Sequence, residues 1–340
     1  MKPKTPSSLR VLTLVLSCAA ALVANDGPSR AQGSGRVIGV GDFPHGVSNI
    51  EQAIAFYRDV LGFELLHTRP PVVDGKIGPN VYDAKMQAVM DVGGAYYRFA
   101  TFRIPGAGFH LQLVEMINNQ RIVGLRGRRQ SSATPLERGS VMMRLPVADV
   151  DHWLKRIRDG FHGDVLTTEL KQGAAQVESF AFRDDPDGFL MEVVQGSGAG
   201  IVLTAADPDE KLRFYRELLG FDLQRGERVP SAAHEPVSVR RSIGRVPGTD
   251  VPFEIREYQG VHQRRFYPST MGQDGVAWIQ LLVRDLDALM RVFIAERVLI
   301  VSTGLQPVVV DDGTRRVVVR DPDGVFVELI ERTTDNRGER

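Results

Sequence analysis

The stretch RDDPDGFLMEVVQ at residues 183–195 returns as RDPDGVFVELIER at residues 320–332. Strand, tight turn and strand are written twice, with a proline that presets each turn and a glycine that supplies positive φ. A second echo precedes the first in each half: IEQAIAFYRDVLGFELL from Ile50 and DEKLRFYRELLGFDLQ from Asp209. Two elements repeated in the same order make the halves homologous domains.

The helical echoes place apolar residues on one face, with Ile50, Ile54, Tyr57 and Leu61 in the first and Leu212, Tyr215 and Leu219 in the second. The pairs Phe56/Tyr57 and Phe214/Tyr215 sit beside an LGF turn, which argues for core packing. Ser48 and Glu51 have capping-box spacing, Asp207 with Pro208 and Glu210 makes an equivalent start, and Gly62 and Gly220 supply the stops. Alternating strands follow: AYYRFATFRI, GFHLQLVEMI and PFEIREYQ. SVMMRLPV then leads into helical VDHWLKRIRD, as VAWIQLLV leads into LDALMRVFIAE, and each run closes on its Asp-Pro-Asp-Gly hairpin. Strand, helix and three strands therefore occur four times. The expected fold class is α+β, four βαβββ units forming two tandem curved, mostly antiparallel sheets. The domains are expected at 37–197 and 199–333, with a tail at 334–340. Connections near 70–95, 117–138 and 226–250 read as loops able to cover a cavity, and GPNVYDAKMQAVMDVGG adds a short helix.

Lys2, Lys4 and Arg10 precede the apolar run VLTLVLSCAAALVA, too short for a comfortable bilayer span but suited to an export signal over 1–31, cleaved after Ala24 or Ala31. The protein is accordingly expected to be exported, periplasmic or extracellular. Cys18, the one cysteine, lies in this run, so the mature chain would lack thiols and disulfides. VLSC also loosely matches a lipoprotein cleavage box, in which case Cys18 would be acylated and the protein anchored to a membrane. The 42 basic and 42 acidic residues balance, so no overall field favours nucleic acid or an anionic membrane.

The AFYRDVLGF and RFYRELLGF motifs after capped helix starts, with the hairpins ending FLMEVVQ and FVELIE, resemble the vicinal oxygen chelate superfamily of glyoxalase I, fosfomycin and bleomycin resistance proteins and extradiol dioxygenases. The resemblance covers nearly all of the mature chain. It implies that two units curve into a cup, with metal ligands at one inward position on the first and last strand of each unit. Counting from the motifs carries those positions onto Asp42, Gln112, Met142 and Glu192 in the first half, and Gly200, Glu254, Trp278 and Glu328 in the second. None is histidine, although a bulge at Pro44 would turn His45 inward.

A catalytic zinc or iron centre commonly uses at least two imidazoles. The first cup instead offers oxygen ligands at Asp42, Gln112 and Glu192, suited to Mg or Mn more than Zn or Fe, with His110 on the same face as Gln112. Arg144, sharing a face with Met142, would pair with Glu192 or Asp42. In the second cup Arg256 would neutralise Glu254, and Trp278 would fill the metal's place, so Glu254, Arg256, Trp278 and Glu328 read as structural. His67, His152, His162, His234 and His262 read as solvated. Two functions follow: an exported binder of a small organic molecule of the bleomycin-resistance type, using Asp42, His110, Gln112, Met142, Arg144 and Glu192 without a metal, or a divalent-metal lyase, isomerase or dioxygenase on the same cup.

Overall fold

The computed structural model describes residues 37–117, 134–160, 163–170, 177–184, 187–196, 198–231, 237–261 and 270–332. The export signal, Cys18, His162, His234, His262, most of the 117–138 connection and the tail lie outside them. Among the described residues no helix is long and apolar enough to cross a membrane.

Four units follow one plan. The first runs β1 (Val37–Val40), β2 (Phe43–Val47), α1 (Ile50–Ala55), β3 (Glu64–Arg69), α2 (Ala84–Met90), β4 (Tyr96–Arg103) and β5 (His110–Ile117). The second is β6 (Val141–Val147), α3 (Val150–Asp159), β7 (Gly163–Leu170), β8 (Val177–Asp184) and β9 (Leu190–Gln195). The third is β10 (Gly200–Ala205), α4 (Pro208–Leu212), β11 (Asp222–Pro230), β12 (Ser238–Arg245) and β13 (Pro252–Gln259). The fourth is β14 (Trp278–Val283), α5 (Leu286–Ala295), β15 (Leu299–Ile300), β16 (Thr314–Arg320) and β17 (Phe326–Arg332).

Both repeated helices end as foreseen and begin slightly differently. Asp207 caps α4 through the amides of Asp209 and Glu210, whereas Asn49, not Ser48, caps α1 by accepting from Gln52. The Ser48 amide is instead held by Asp187. Each FYR motif widens into a π-helical turn, over Phe56–Val60 and Arg213–Leu218, before a glycine at φ 74° or 82°. The extra residue turns both aromatics inward, and the Phe56/Tyr57 and Phe214/Tyr215 rings meet edge-on at 5.1 Å in the core. The connection expected at 226–250 is largely strand, because β11 and β12 pair antiparallel from Asp222↔Arg245 to Pro230↔Ser238. A ladder satisfies backbone groups that a loop would leave to water.

The sheets join units in an order that chain order does not suggest. The second and third units form one eight-stranded sheet, β7-β8-β9-β6-β10-β13-β12-β11, joined where β6 runs antiparallel to β10 (Met142↔Val202, Arg144↔Gly200). The first unit's strands run β2-β5-β4-β3, and its leading β1 pairs antiparallel with β14 of the fourth unit, which continues β14-β17-β16-β15. One cup is thus built from units two and three, the other from units one and four. This corrects the expectation that each half closes its own cup. The physical reason is edge pairing: the first strand of every unit lies at the open side of its sheet, and its unpaired backbone is satisfied by another unit's first strand. Within each half the two units still pack together, Asp187 of the second accepting from the Ser48 amide of the first and Asp323 of the fourth from the Ala206 amide of the third, and one apolar core runs under all four units.

Candidate functional site

On β2 the side chains alternate, so Phe43, His45 and Val47 enter the core while Asp42, Pro44 and Gly46 face the 1/4 cup. No bulge brings His45 inward; its fully buried ring stacks on Phe189 at 4.4 Å. Burial holds that imidazole down to about 3, against a weaker upward pull from the Val276 backbone.

Across the 1/4 cup runs a polar stripe. His67, Thr101 and Gln112 stand opposite one another on β3, β4 and β5, and Pro44 continues the row on β2. Gln112 and His110 both approach Asp42, at 3.4 Å to each carboxylate oxygen. The chain then crosses into the fourth unit. The Gln280 side-chain oxygen accepts from the Asp42 amide at 3.0 Å, and its nitrogen donates to Glu328 at 2.9 Å. Gly41 permits this crossing, since a Cβ there would lie 2.8 Å from Gln280 Cβ. Trp278 Nε1 donates to the same Glu328 oxygen at 3.0 Å, and Arg316 supplies the other oxygen at 3.0 Å. Glu328 is fully buried, whereas Asp42 keeps 27% and His110 46% of its side chain exposed. The stripe therefore has a saturated floor and an open rim. Burial raises the Asp42 carboxyl, and the His110 and His67 imidazoles only partly offset it.

Beside the stripe the hollow is filled by the chain itself. Helix α2 lays Met86, Val89 and Met90 against Tyr97, Phe99, Val114, Trp278, Val318 and Phe326. Ser302 fastens it, donating to the Val89 carbonyl at 2.6 Å while accepting from the Val318 amide at 2.8 Å. The short helix foreseen over residues 78–94 is thus present, and it covers part of the cavity.

The 2/3 cup has a different lining. Its floor is Met142, Ala181, Leu190 and Val202, and above it four charges close a ring. Arg144 contacts Glu192 at 2.7 Å and Glu254 at 2.5 Å, while Arg256 contacts Glu192 at 2.7 Å and Glu254 at 2.8 Å. Burial alone would raise both carboxylates, but the two guanidiniums outweigh it, lowering Glu192 and holding Glu254 at about 2. Arg144 pairs with Glu192, and Arg256 neutralises Glu254, as expected; the expected alternative, Arg144 with Asp42, does not form.

The candidate residues thus separate. Asp42, His110 and Gln112 share a cup with Trp278 and Glu328, while Met142, Arg144 and Glu192 share the other with Glu254 and Arg256. Gly200 carries no side chain and is pressed against Pro252. Gln280, Arg316 and Thr101 were not singled out from sequence. Alternation from Trp278 yields Gln280, and the register across the Asp-Pro-Asp-Gly hairpin places Arg316 near Glu328. Thr101 has no sequence signal beyond standing opposite Gln112.

A divalent ion needs free lone pairs converging on one point. Asp42, Gln112 and Glu192 cannot supply them together, because Glu192 belongs to the other cup and is occupied by two arginines. Glu328 has both oxygens taken. Among the described residues no three His, Cys, Asp or Glu side chains group so as to hold an ion. Among the described residues the expected ligands Asp42, Gln112 and Glu192 therefore do not form one donor set.

A family model described as Glyoxalase/Bleomycin resistance protein/Dioxygenase superfamily matches residues 45–193 and 199–329. No curated protein matches the chain. Among solved structures, glyoxalase I from Zea mays aligns with 87% of this chain and 92% of its own at 17% identity and a TM-score of 0.57. A fosfomycin resistance protein from Listeria monocytogenes aligns with 47% of this chain and 91% of its own, at 16% identity and a TM-score of 0.28. At such identities the maize likeness concerns the fold alone.

Proposed function

Because the chain belongs to the glyoxalase/bleomycin resistance protein/dioxygenase superfamily, whose members differ in function more than in fold, we propose from its side chains that it binds a small organic molecule without a metal. The seat is the open rim of the 1/4 cup, at Asp42, His110 and Gln112. One observation carries this reading: Glu328 is saturated by Trp278, Gln280 and Arg316, while the Asp42 carboxylate above it has, among the described residues, two contacts of 3.4 Å and remains partly exposed. A saturated floor fixes the shape, and an under-satisfied rim is where a ligand's polar groups gain most. The charged ring of the 2/3 cup supports a structural role there, since its charges already satisfy one another.

A thermal-shift screen of small organic compounds in the presence of a chelator tests the reading. A ligand at 100 times its Kd stabilises by about 2.7 kcal/mol, which raises Tm by about 5 °C. The shift should vanish in Gln112→Leu and persist in the chelator. A screen in which stabilisation appears only with a divalent ion would favour the metalloenzyme alternative instead.

A second reading, acid–base catalysis without a metal, draws on the Asp42–His110 contact, in which burial raises the carboxyl beside a half-exposed imidazole. The basic-then-apolar N-terminus supports placing the protein outside the cytoplasm. Terminal sequencing of the secreted product should begin after Ala24 or Ala31, and an acylated Cys18 would mark a lipoprotein.

A further inference from the structure

Resting on the small-molecule reading, we propose that the ligand seated on the 1/4 stripe is an organic amine whose ammonium docks on Asp42. Around this end of the cup stand Asp42, Glu328, Asp312 and Glu64 against Arg316 and Arg103, with His110 and His67 beside them and the Arg69–Asp83 pair further along β3. Glu64 and Arg103 pair with each other at the exposed edge. Arg316 is shared between Glu328 and Asp312. Asp42 has no guanidinium or ammonium of its own among the described residues.

The hydrogen-bonding inventory points the same way. Gln112 turns one of its two amide hydrogens towards Asp42 and keeps both lone pairs of its carbonyl oxygen. Thr101, opposite Gln112 on the concave face and only 2% exposed, has a buried hydroxyl with no partner among the described residues. A buried hydroxyl left alone is costly, so its oxygen marks a place built to be met by something else. Carboxylate, amide oxygen and hydroxyl together present acceptors in excess of donors. A primary ammonium, with three donors and a positive charge, is the complementary group. The 2/3 cup has the opposite balance, with Arg144, Arg256 and Arg241 against Glu192 and Glu254, and so offers an ammonium no seat.

Saturation-transfer NMR on the full chain with benzylamine, benzyl alcohol and benzoate separates the possibilities, because the three share a ring and differ in the polar group. Benzylamine should bind the wild type and weaken about tenfold or more in Asp42→Asn, which removes the charge but keeps the shape. Thr101→Val, which leaves Asp42 in place, should weaken it about threefold and keeps the test decisive if Asp42→Asn unfolds. Benzyl alcohol or benzoate binding more tightly, with a loss in Gln112→Leu, would overturn the amine and leave the small-molecule reading standing. Binding of none of the three would also overturn the amine, while the broader thermal screen would still decide whether any small molecule binds.

Discussion

At the scale of single residues, two buried groups make opposite use of the same low-dielectric interior. Arg256 is 4% exposed and holds both Glu192 and Glu254, so its removal leaves two buried carboxylates facing each other with Arg144 as their one shared close cation among the described residues. Breaking a buried pair from one side costs about 3–5 kcal/mol, and Arg256→Ala should lose that much in urea unfolding. His45 is buried neutral instead. Its folded pKa of about 3 lies below its ordinary value of 6.5, so between those limits the unfolded chain binds the extra proton. Stability is therefore full above pH 6.5 and should fall by about 1.4 kcal/mol per pH unit on acidification. Glu192 and Glu254, with depressed pKa values, lose their contribution only below about 4.5. Between pH 6.5 and 5 neither glutamate adds to the loss and the raised Asp42 carboxyl would oppose it, so His45→Leu should flatten or reverse the slope; an unchanged slope would show that the imidazole is charged in the folded state. The positions that the family resemblance implies put Asp42 and Gln112 together, and strand alternation, a local rule, added His110. Sequence reading mixed Met142 and Glu192 into the same group because which cup a strand lines is decided by pairing at long range.

At the scale of elements, the repeated helices and hairpins were legible almost to the residue. Their caps, turn glycines and apolar spacing act within a few positions of each other, and the AYYRFATFRI and GFHLQLVEMI strands match β4 and β5 closely. Helix α2 was legible as a helix but not as a plug, since nothing in GPNVYDAKMQAVMDVGG says what it packs against. Ser302 is the residue that fastens it, from far along the chain. Ser302→Ala would strand the Val89 carbonyl and the Val318 amide, at about 1–3 kcal/mol for the buried groups left unpaired. Hydrogen exchange should then quicken first over residues 84–90, ahead of β4 and β5. Equal quickening throughout the sheet would mean that the plug does not open separately.

At the scale of the whole molecule, the first and fourth units depend on each other across the length of the chain. Residues 37–197 expressed alone would expose the edges of β1 and β6, which pair with β14 and β10 in the intact protein. That fragment should self-associate on size exclusion and return to a single heterodimer when mixed with residues 199–333. A folded, monomeric half with its own closed cup would contradict the pairing. The account's central claim is that one ligand seat is shared between units that far apart, with Asp42 and Gln112 contributed by one half and Gln280 and Glu328 by the other. The most direct test follows the side-chain amide NMR signals of Gln112 and Gln280 while a stabilising ligand is titrated into the intact chain. The account predicts that both signals move with one midpoint; movement of Gln112 alone, or changes centred on Arg144 and Arg256, would contradict it.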